Sequence, residues 1–151
     1  MNIPEIIMSS ETELIDIFKD FHQNPELGFE EHRTSQIIKE KLRLYGVDQI
    51  KSGIGLTGVV GLIKGKKSSK RTIGIRADMD ALPIHEKTNL TYSSKAKGKM
   101  HACGHDAHTT MLLGAAKYLS STRNFNGTAV LIFQPAEEGL GGALKMIKDG
   151  I

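Results

Sequence analysis

Three histidines, the only cysteine and an aspartate fall within eight consecutive positions, His101-Ala-Cys103-Gly-His105-Asp106-Ala-His108. A thiolate and an imidazole two residues apart can point the same way in extended backbone and bind one borderline-soft ion such as zinc. Gly104, between them, removes a side chain that would crowd the ion. The bland alternative is a helix-capping Asp106, a buried free thiol and incidental histidines. Any one of these residues alone favours that alternative; the cluster reverses it.

Two further segments carry acids. Gln134-Pro135-Ala136-Glu137-Glu138-Gly139 follows an apolar run, beyond the carboxyl end of a strand, where functional groups gather in α/β folds. Adjacent carboxylates repel, so two beside a hydrophobic strand end cost stability unless a cation offsets them. Glutamate pairs are common on solvated loops, and alone this pair reads so. Beside a candidate metal site, one glutamate as ligand and its neighbour as general base is a coherent division of labour. Arg76-Ala77-Asp78-Met79-Asp80-Ala81-Leu82-Pro83 follows another apolar strand. Asp78 and Asp80 alternate with apolar neighbours and can lean to one side as the strand ends; solvated strand-end aspartates are the even-handed alternative. Three such strand-end segments would meet at one edge of a sheet.

The elements that must position them read as follows. Ser10 and Glu13 have capping-box spacing, and Leu14, Ile15, Ile17, Phe18 and Phe21 follow with mostly helical period up to Pro25 and Gly28. A second helix starts near Glu30, with Ile37, Ile38, Leu42 and Leu44 as its apolar stripe and Gly46 as its left-handed cap. The period then changes. Leu56 to Ile63 and Thr72 to Ile75 read as strands, with Lys64 to Lys70 as a hairpin turn between them. Residues 78–100 are mostly irregular and polar, and His108 to Leu119 is helical again. Thr128 to Phe133 is near-continuously apolar, the pattern of a strand buried on both faces. Leu144, Met146 and Ile147 begin a last helix. Helices flanking a mixed sheet define an α/β domain.

Gly53-Ile-Gly55-Leu-Thr-Gly58 matches a dinucleotide fingerprint as a string. That fingerprint must leave a strand and open a helix, whereas Val59 to Ile63 reads as strand, so the glycines serve turns and a bulge. Of the 151 residues 39% are hydrophobic and 25% charged, with a formal charge of +3. This is a globular mixture. The densest basic run, Lys64 to Arg71, contains Gly65, Ser68 and Ser69 and no aromatic residue, which reads as a solvated loop and not as a nucleic-acid surface. A lone cysteine, no signal-peptide pattern at the N-terminus and no run of roughly 18–20 apolar residues imply a cytoplasmic chain with no membrane partner. The sequons at Asn89 and Asn126 then have no secretory context.

Together with His22-Gln-Asn-Pro25-Glu26-Leu-Gly28-Phe-Glu30-Glu31, the stretches Arg76 to Pro83, Met100 to His108 and Phe133 to Gly139 resemble the aminoacylase-like metallopeptidases. That family includes hippurate hydrolases, N-acyl-amino-acid amidohydrolases and plant indoleacetyl-amino-acid hydrolases. The resemblance implies Cys103, His105 and Glu138 as metal ligands, and Glu137 as the general base acting on water. Asp80 would be the carboxylate that orients a ligand or the base. In the wider superfamily a His-x-Asp stands where this chain has Asp78-Met79-Asp80, so Asp78 is a lesser candidate ligand; His101 and His108 are read as supporting or packing residues. One or two divalent ions (zinc, manganese, cobalt or nickel) and a small N-acyl or N-aroyl amino acid or dipeptide substrate are implied, with a homodimer left open for the full-length protein. Family members are far longer, with two further histidine ligands beyond the position of Ile151. The resemblance therefore implies that residues 1–151 form the N-terminal part of a zinc-peptidase-like catalytic domain, truncated before a smaller inserted domain and inactive alone. Two rivals stand beside this reading: a non-catalytic remnant, and a domain with a structural or sensory metal. Structural zinc sites close with four protein ligands, and the three convincing ones here favour an incomplete catalytic site.

Overall fold

The computed structural model describes residues 4–151, as helices packed over a four-stranded mixed sheet. A short helix α1 (Glu5–Met8) precedes α2 (Glu11–Gln23) and α3 (His32–Leu44). The strands β1 (Gln49–Ile54), β2 (Gly58–Lys64) and β3 (Lys67–Asp78) follow, then α4 (His105–Thr122), β4 (Asn126–Gln134) and α5 (Gly142–Lys148). No helix among the described residues is long and apolar enough to cross a membrane.

Across the sheet the order is β1-β2-β4-β3, with β1–β2 and β2–β4 antiparallel and β3–β4 parallel. This overturns the hairpin expected between β2 and β3. Local turn chemistry at Gly65, Ser68 and Ser69 is compatible with a hairpin, but β4 pairs with both strands and lies between them. Among the described residues the one hairpin is β1–β2, and its turn is the glycine-rich run: Gly53 and Gly55 take positive φ (82° and 63°), with a register shift between Ser52 and Ile54. Strand β1, whose residues are largely exposed, had no clear apolar signal to announce it.

One face of the sheet carries the core. Ile17 and Phe21 of α2, Ile38 and Leu42 of α3, and Leu112, Leu113 and Ala116 of α4 pack with Val59, Ile63, Ala77, Ala129, Leu131 and Phe133. The alternate residues of β4, Val130 and Ile132, are half-buried, so the strand is fully covered on one face and not on both. Leu44, expected in the α3 stripe, is 74% exposed; the stripe is Thr34, Ile38 and Leu42, and Gly46 does take the left-handed conformation (φ 76°). The capping box is absent: the Ser10 hydroxyl donates to the Ile6 carbonyl at 2.6 Å, because α1 offers a nearer acceptor. Glu13 instead binds Lys41, Tyr45 and Lys117, tying α2 to α3 and α4.

Between β3 and α4, residues 79–104 form neither helix nor strand. Isolated bridges pin this segment: Leu27 with Ala81, and Leu82 with Met100. A connection this long without regular structure is usually functional in a compact domain.

Candidate metal centre

Three chain segments converge beyond the carboxyl ends of the parallel strands β3 and β4. Strand β3 ends at Asp78, with Asp80 two residues on; β4 ends at Gln134, and Pro135 stops further pairing ahead of Glu137 and Glu138. The third segment is the start of α4. Gly104 sits at φ 87°, a conformation that other residues adopt only with strain, and turns the chain so that His105 is the first helical residue. The helix was expected from His108; its earlier start makes His105 and His108 neighbours on the first turn, with Cys103 just outside it.

His105 is the hub. Its Nδ1 lies 2.9 Å from the backbone oxygen of Asp80 and 3.2 Å from Asp80 Oδ1, which places the proton on Nδ1 and turns the Nε2 lone pair toward the acids. Around Nε2 lie Asp78 Oδ1 at 3.6 Å, Glu137 Oε2 at 3.9 Å and Glu138 Oε1 at 3.9 Å. One ligand atom each from Cys103, His105 and Glu138 fall within 4.8 Å of one another. The cysteine is exposed, the histidine buried and the glutamate in between, so the cluster opens to solvent on one side.

Charge crowding is the electrostatic signature of the site. Burial opposes protonation of His105, but the Asp80 hydrogen bond and the Asp78 charge outweigh it and raise the pKa. The Cys103 thiol is held up by its contact with Glu138, and then by slight burial and the charges of Glu138, Glu137 and Asp78. Asp78 and Asp80 are buried, which pushes their pKa values up, yet their histidine partners leave both below the usual carboxylate range. Four carboxylates around one imidazole repel one another and attract a cation. The donor set, thiolate, imidazole and carboxylate, suits zinc and neighbouring first-row ions.

Asp80 touches both halves of the cluster. Its Oδ1 meets His105 while its Oδ2 accepts from the Glu138 backbone N–H at 3.0 Å. Asp78 pairs with His108 Nδ1 through Oδ1 (2.7 Å) and with Arg76 through Oδ2 (3.1 Å); Asp78 and Asp80 do face the same cluster. His101 is buried, and among the described residues neither ring nitrogen has a hydrogen-bond partner. Burial lowers its pKa to about 4, so its ring is neutral at physiological pH.

Several contributors escaped sequence reasoning. Glu31 is fully buried; it accepts from the Thr57 hydroxyl at 2.6 Å and from the Ala136 N–H at 2.8 Å. Ala136 has φ 48°, a left-handed conformation immediately before Glu137. His22 bridges Asp106 (2.7 Å) and Glu86 (3.1 Å), joining α2 to α4 and to the irregular segment. Both residues lie in the His22 to Glu31 stretch, which carries part of the family resemblance but singles out neither residue for a role. Only tertiary structure shows that they are buried.

A mixed sheet with a thiol, imidazoles and paired acids at its carboxyl edge defines an α/β domain of the metallohydrolase kind. The chain belongs to Peptidase family M20/M25/M40, whose sequence profile matches residues 74–151. It is 54% identical over 151 residues to the hippurate hydrolase of Campylobacter jejuni, covering 100% of this chain and 39% of that protein. Against the IAA-amino acid hydrolase ILR1-like 2 of Arabidopsis thaliana it is 51% identical, covering 91% of this chain and 31% of the relative. The crystal structure of the Bacillus subtilis YXEP protein, described as a dinuclear metal binding peptidase from the M20 family, superposes with a TM-score of 0.89. The match is 44% identical and covers 95% of this chain and 40% of that one. The chain thus spans about a third to two-fifths of the length of these relatives.

Proposed function

We propose that this chain supplies part of the catalytic centre of a metal-dependent amidohydrolase that cleaves N-acyl or N-aroyl amino acids, dipeptides included. The observation that carries the reading is the convergence of Cys103, His105 and Glu138 within 4.8 Å, with Glu137 beside them. The relatives named as a hippurate hydrolase and an IAA-amino acid hydrolase support the substrate class. Cys103, His105 and Glu138 would hold a divalent ion, zinc, manganese, cobalt or nickel. Such an ion polarises a carbonyl and lowers the pKa of bound water from about 15.7 toward about 7.

The remaining work falls to side chains. Glu137 takes the proton of the attacking water and delivers it to the leaving amine. Its side chain is 41% exposed, within reach of solvent and of a substrate entering the open side. Asp80 fixes the His105 tautomer and holds the Glu138 backbone, so that both ligands keep their orientation. Cys103, His105 and Glu138 are three ligands for this ion, and on this reading the 151 residues alone hydrolyse such substrates negligibly.

The test separates the two glutamates in the full-length protein. Glu138→Gln lowers metal affinity, because a neutral amide oxygen is a poorer ligand for a dication than a carboxylate. Glu137→Gln keeps the metal but loses most of the rate, about 10²–10⁴-fold. Metal content and turnover on both variants decide the matter: loss of metal from Glu137→Gln alone reverses the roles, and no effect from either removes both residues from the site.

A further inference from the structure

His105 Nε2 belongs to two sets of ligand atoms at once. Besides Cys103 and Glu138, it lies with Asp78 and His108 in a second group whose ligand atoms fall within 4.8 Å of one another. Asp78 Oδ1 is 2.7 Å from His108 Nδ1 and 3.6 Å from His105 Nε2. Atoms bound to one ion at about 2.0–2.2 Å lie roughly 3 Å apart, so this set needs only a small closure to hold a metal. We propose that Asp78, His105 and His108 form an alternative site for a divalent transition-metal ion, which competes with the Cys103–Glu138 set for His105.

The arrangement is built, not incidental. His105 and His108 stand three residues apart on the first turn of α4 and so share a face. Asp78 is 6% exposed, and each of its groups is engaged. Arg76 takes Oδ2, its own Nε donates to Gln134 Oε1 at 2.7 Å, and the Thr109 hydroxyl donates to the Asp78 carbonyl at 2.9 Å. Outer contacts of this kind orient a ligating carboxylate, here leaving Oδ1 directed at the two imidazoles. His108 is half-exposed and opens the set to solvent. On binding, its Nδ1 proton shifts to Nε2, which frees the lone pair that faces Asp78.

One imidazole nitrogen has one lone pair, so the two sets are mutually exclusive. Two imidazoles and a carboxylate suit cobalt, nickel, copper or zinc without a thiolate, whereas the Cys103 set adds the soft ligand. Arg76 and the helix N-terminus oppose a cation at this place, so the alternative set is the weaker of the two and fills when Cys103 is oxidised or replaced.

The test is Co²⁺ titration of the 151-residue chain and of its Cys103→Ser, Cys103→Ser/His108→Ala and Cys103→Ser/Asp78→Asn variants, with folding checked by circular dichroism. Cys103→Ser should still bind Co²⁺, with a ligand-field spectrum that lacks the thiolate-to-cobalt charge-transfer band. Adding either second substitution should weaken that binding at least about tenfold, the lower end of what losing even an outer partner costs. If a double variant is misfolded, a through-bond contact shift of the His108 imidazole NMR signals on Co²⁺ binding in Cys103→Ser reads the same ligation, since broadening alone would reach His108 from an ion on the neighbouring His105 ring 5.6 Å away. No Co²⁺ bound by Cys103→Ser, binding indifferent to both second substitutions, or His108 signals without a contact shift overturns the proposal. The thiolate band in the unmodified chain separately reports the Cys103 set, so its absence counts against the proposed function and leaves the alternative site standing.

Discussion

Glu31 offers the sharpest test of how the fold holds the glutamate loop. Its carboxyl is fully buried between the Thr57 hydroxyl and the Ala136 N–H, and burial raises its pKa above 4.5 despite both hydrogen bonds. Between 4.5 and that raised value the folded state holds more protons than the unfolded state. Stability therefore falls as pH rises through this window and levels off above the folded pKa. In the protonated form the carboxyl O–H donates to the Thr57 oxygen across the same contact, while the other oxygen still accepts from Ala136. A glutamine reproduces this pattern: its NH₂ donates to Thr57 and its carbonyl accepts from Ala136. Glu31→Gln should therefore change stability at pH 5 by less than about 1 kcal/mol and remove the decline with pH. Glu31→Ala strands one or two buried polar groups at about 1–3 kcal/mol each, a loss of roughly 1–6 kcal/mol. At about 2–4 °C per kcal/mol, that is a fall in Tm of roughly 2–24 °C. Thermal unfolding of the three proteins at pH 5 and pH 8 decides it. Equal damage from Gln and Ala, with parallel pH profiles, would show that Glu31 is held as a carboxylate and that the reasoning fails.

Two further predictions concern charges that other residues hold in place. Asp80→Asn can no longer accept from both His105 and the Glu138 N–H; metal affinity should fall about 10–100-fold, as read by competition with a chromophoric chelator. Burial works against ionisation of Glu13, but Lys117, Lys41 and Tyr45 outweigh it and bring the pKa to about 2. After discount for its partly exposed, solvent-screened ion pairs, this contributes about 1–2 kcal/mol. That stability is present above pH 4.5 and is lost as pH falls toward 2, so Glu13→Gln should cost it at pH 7 and nothing near pH 2, measured by urea unfolding.

Much of the site was legible because its residues are rare and clustered. One cysteine, three histidines and an aspartate around Gly104, and two glutamates after a proline-terminated strand, need little tertiary information to stand out. What stayed hidden depends on who pairs with whom across the chain. The β2–β3 hairpin reading failed because strand pairing is non-local: β4, more than fifty residues after β2, takes the place between them. Strand β1 was missed because an exposed edge strand carries no apolar alternation. Glu31 and His22 are polar residues whose burial is conferred by partners such as Thr57, Ala136, Asp106 and Glu86.

These hidden residues explain how loop-borne side chains keep a defined geometry. Glu137 and Glu138 follow a strand end with no regular structure to hold them, and Ala136 before them sits at a positive φ that ordinarily costs a non-glycine residue energy. Two acids outside the candidate ligand set hold this turn from opposite sides. Glu31, next to the start of α3, grips the Ala136 N–H, and Asp80, beyond β3, grips the Glu138 N–H. Gly28 and Gly142 let the turn pack closely; a Cβ on Gly142 would lie 1.7 Å from the Pro135 carbonyl oxygen. Asp80 also holds His105, so a displacement of the glutamate turn is transmitted to the imidazole through a single carboxylate. The His22 to Glu31 stretch and the Arg76 to Pro83 stretch therefore contribute to the centre by supplying the acids that fix where its glutamates and imidazole stand.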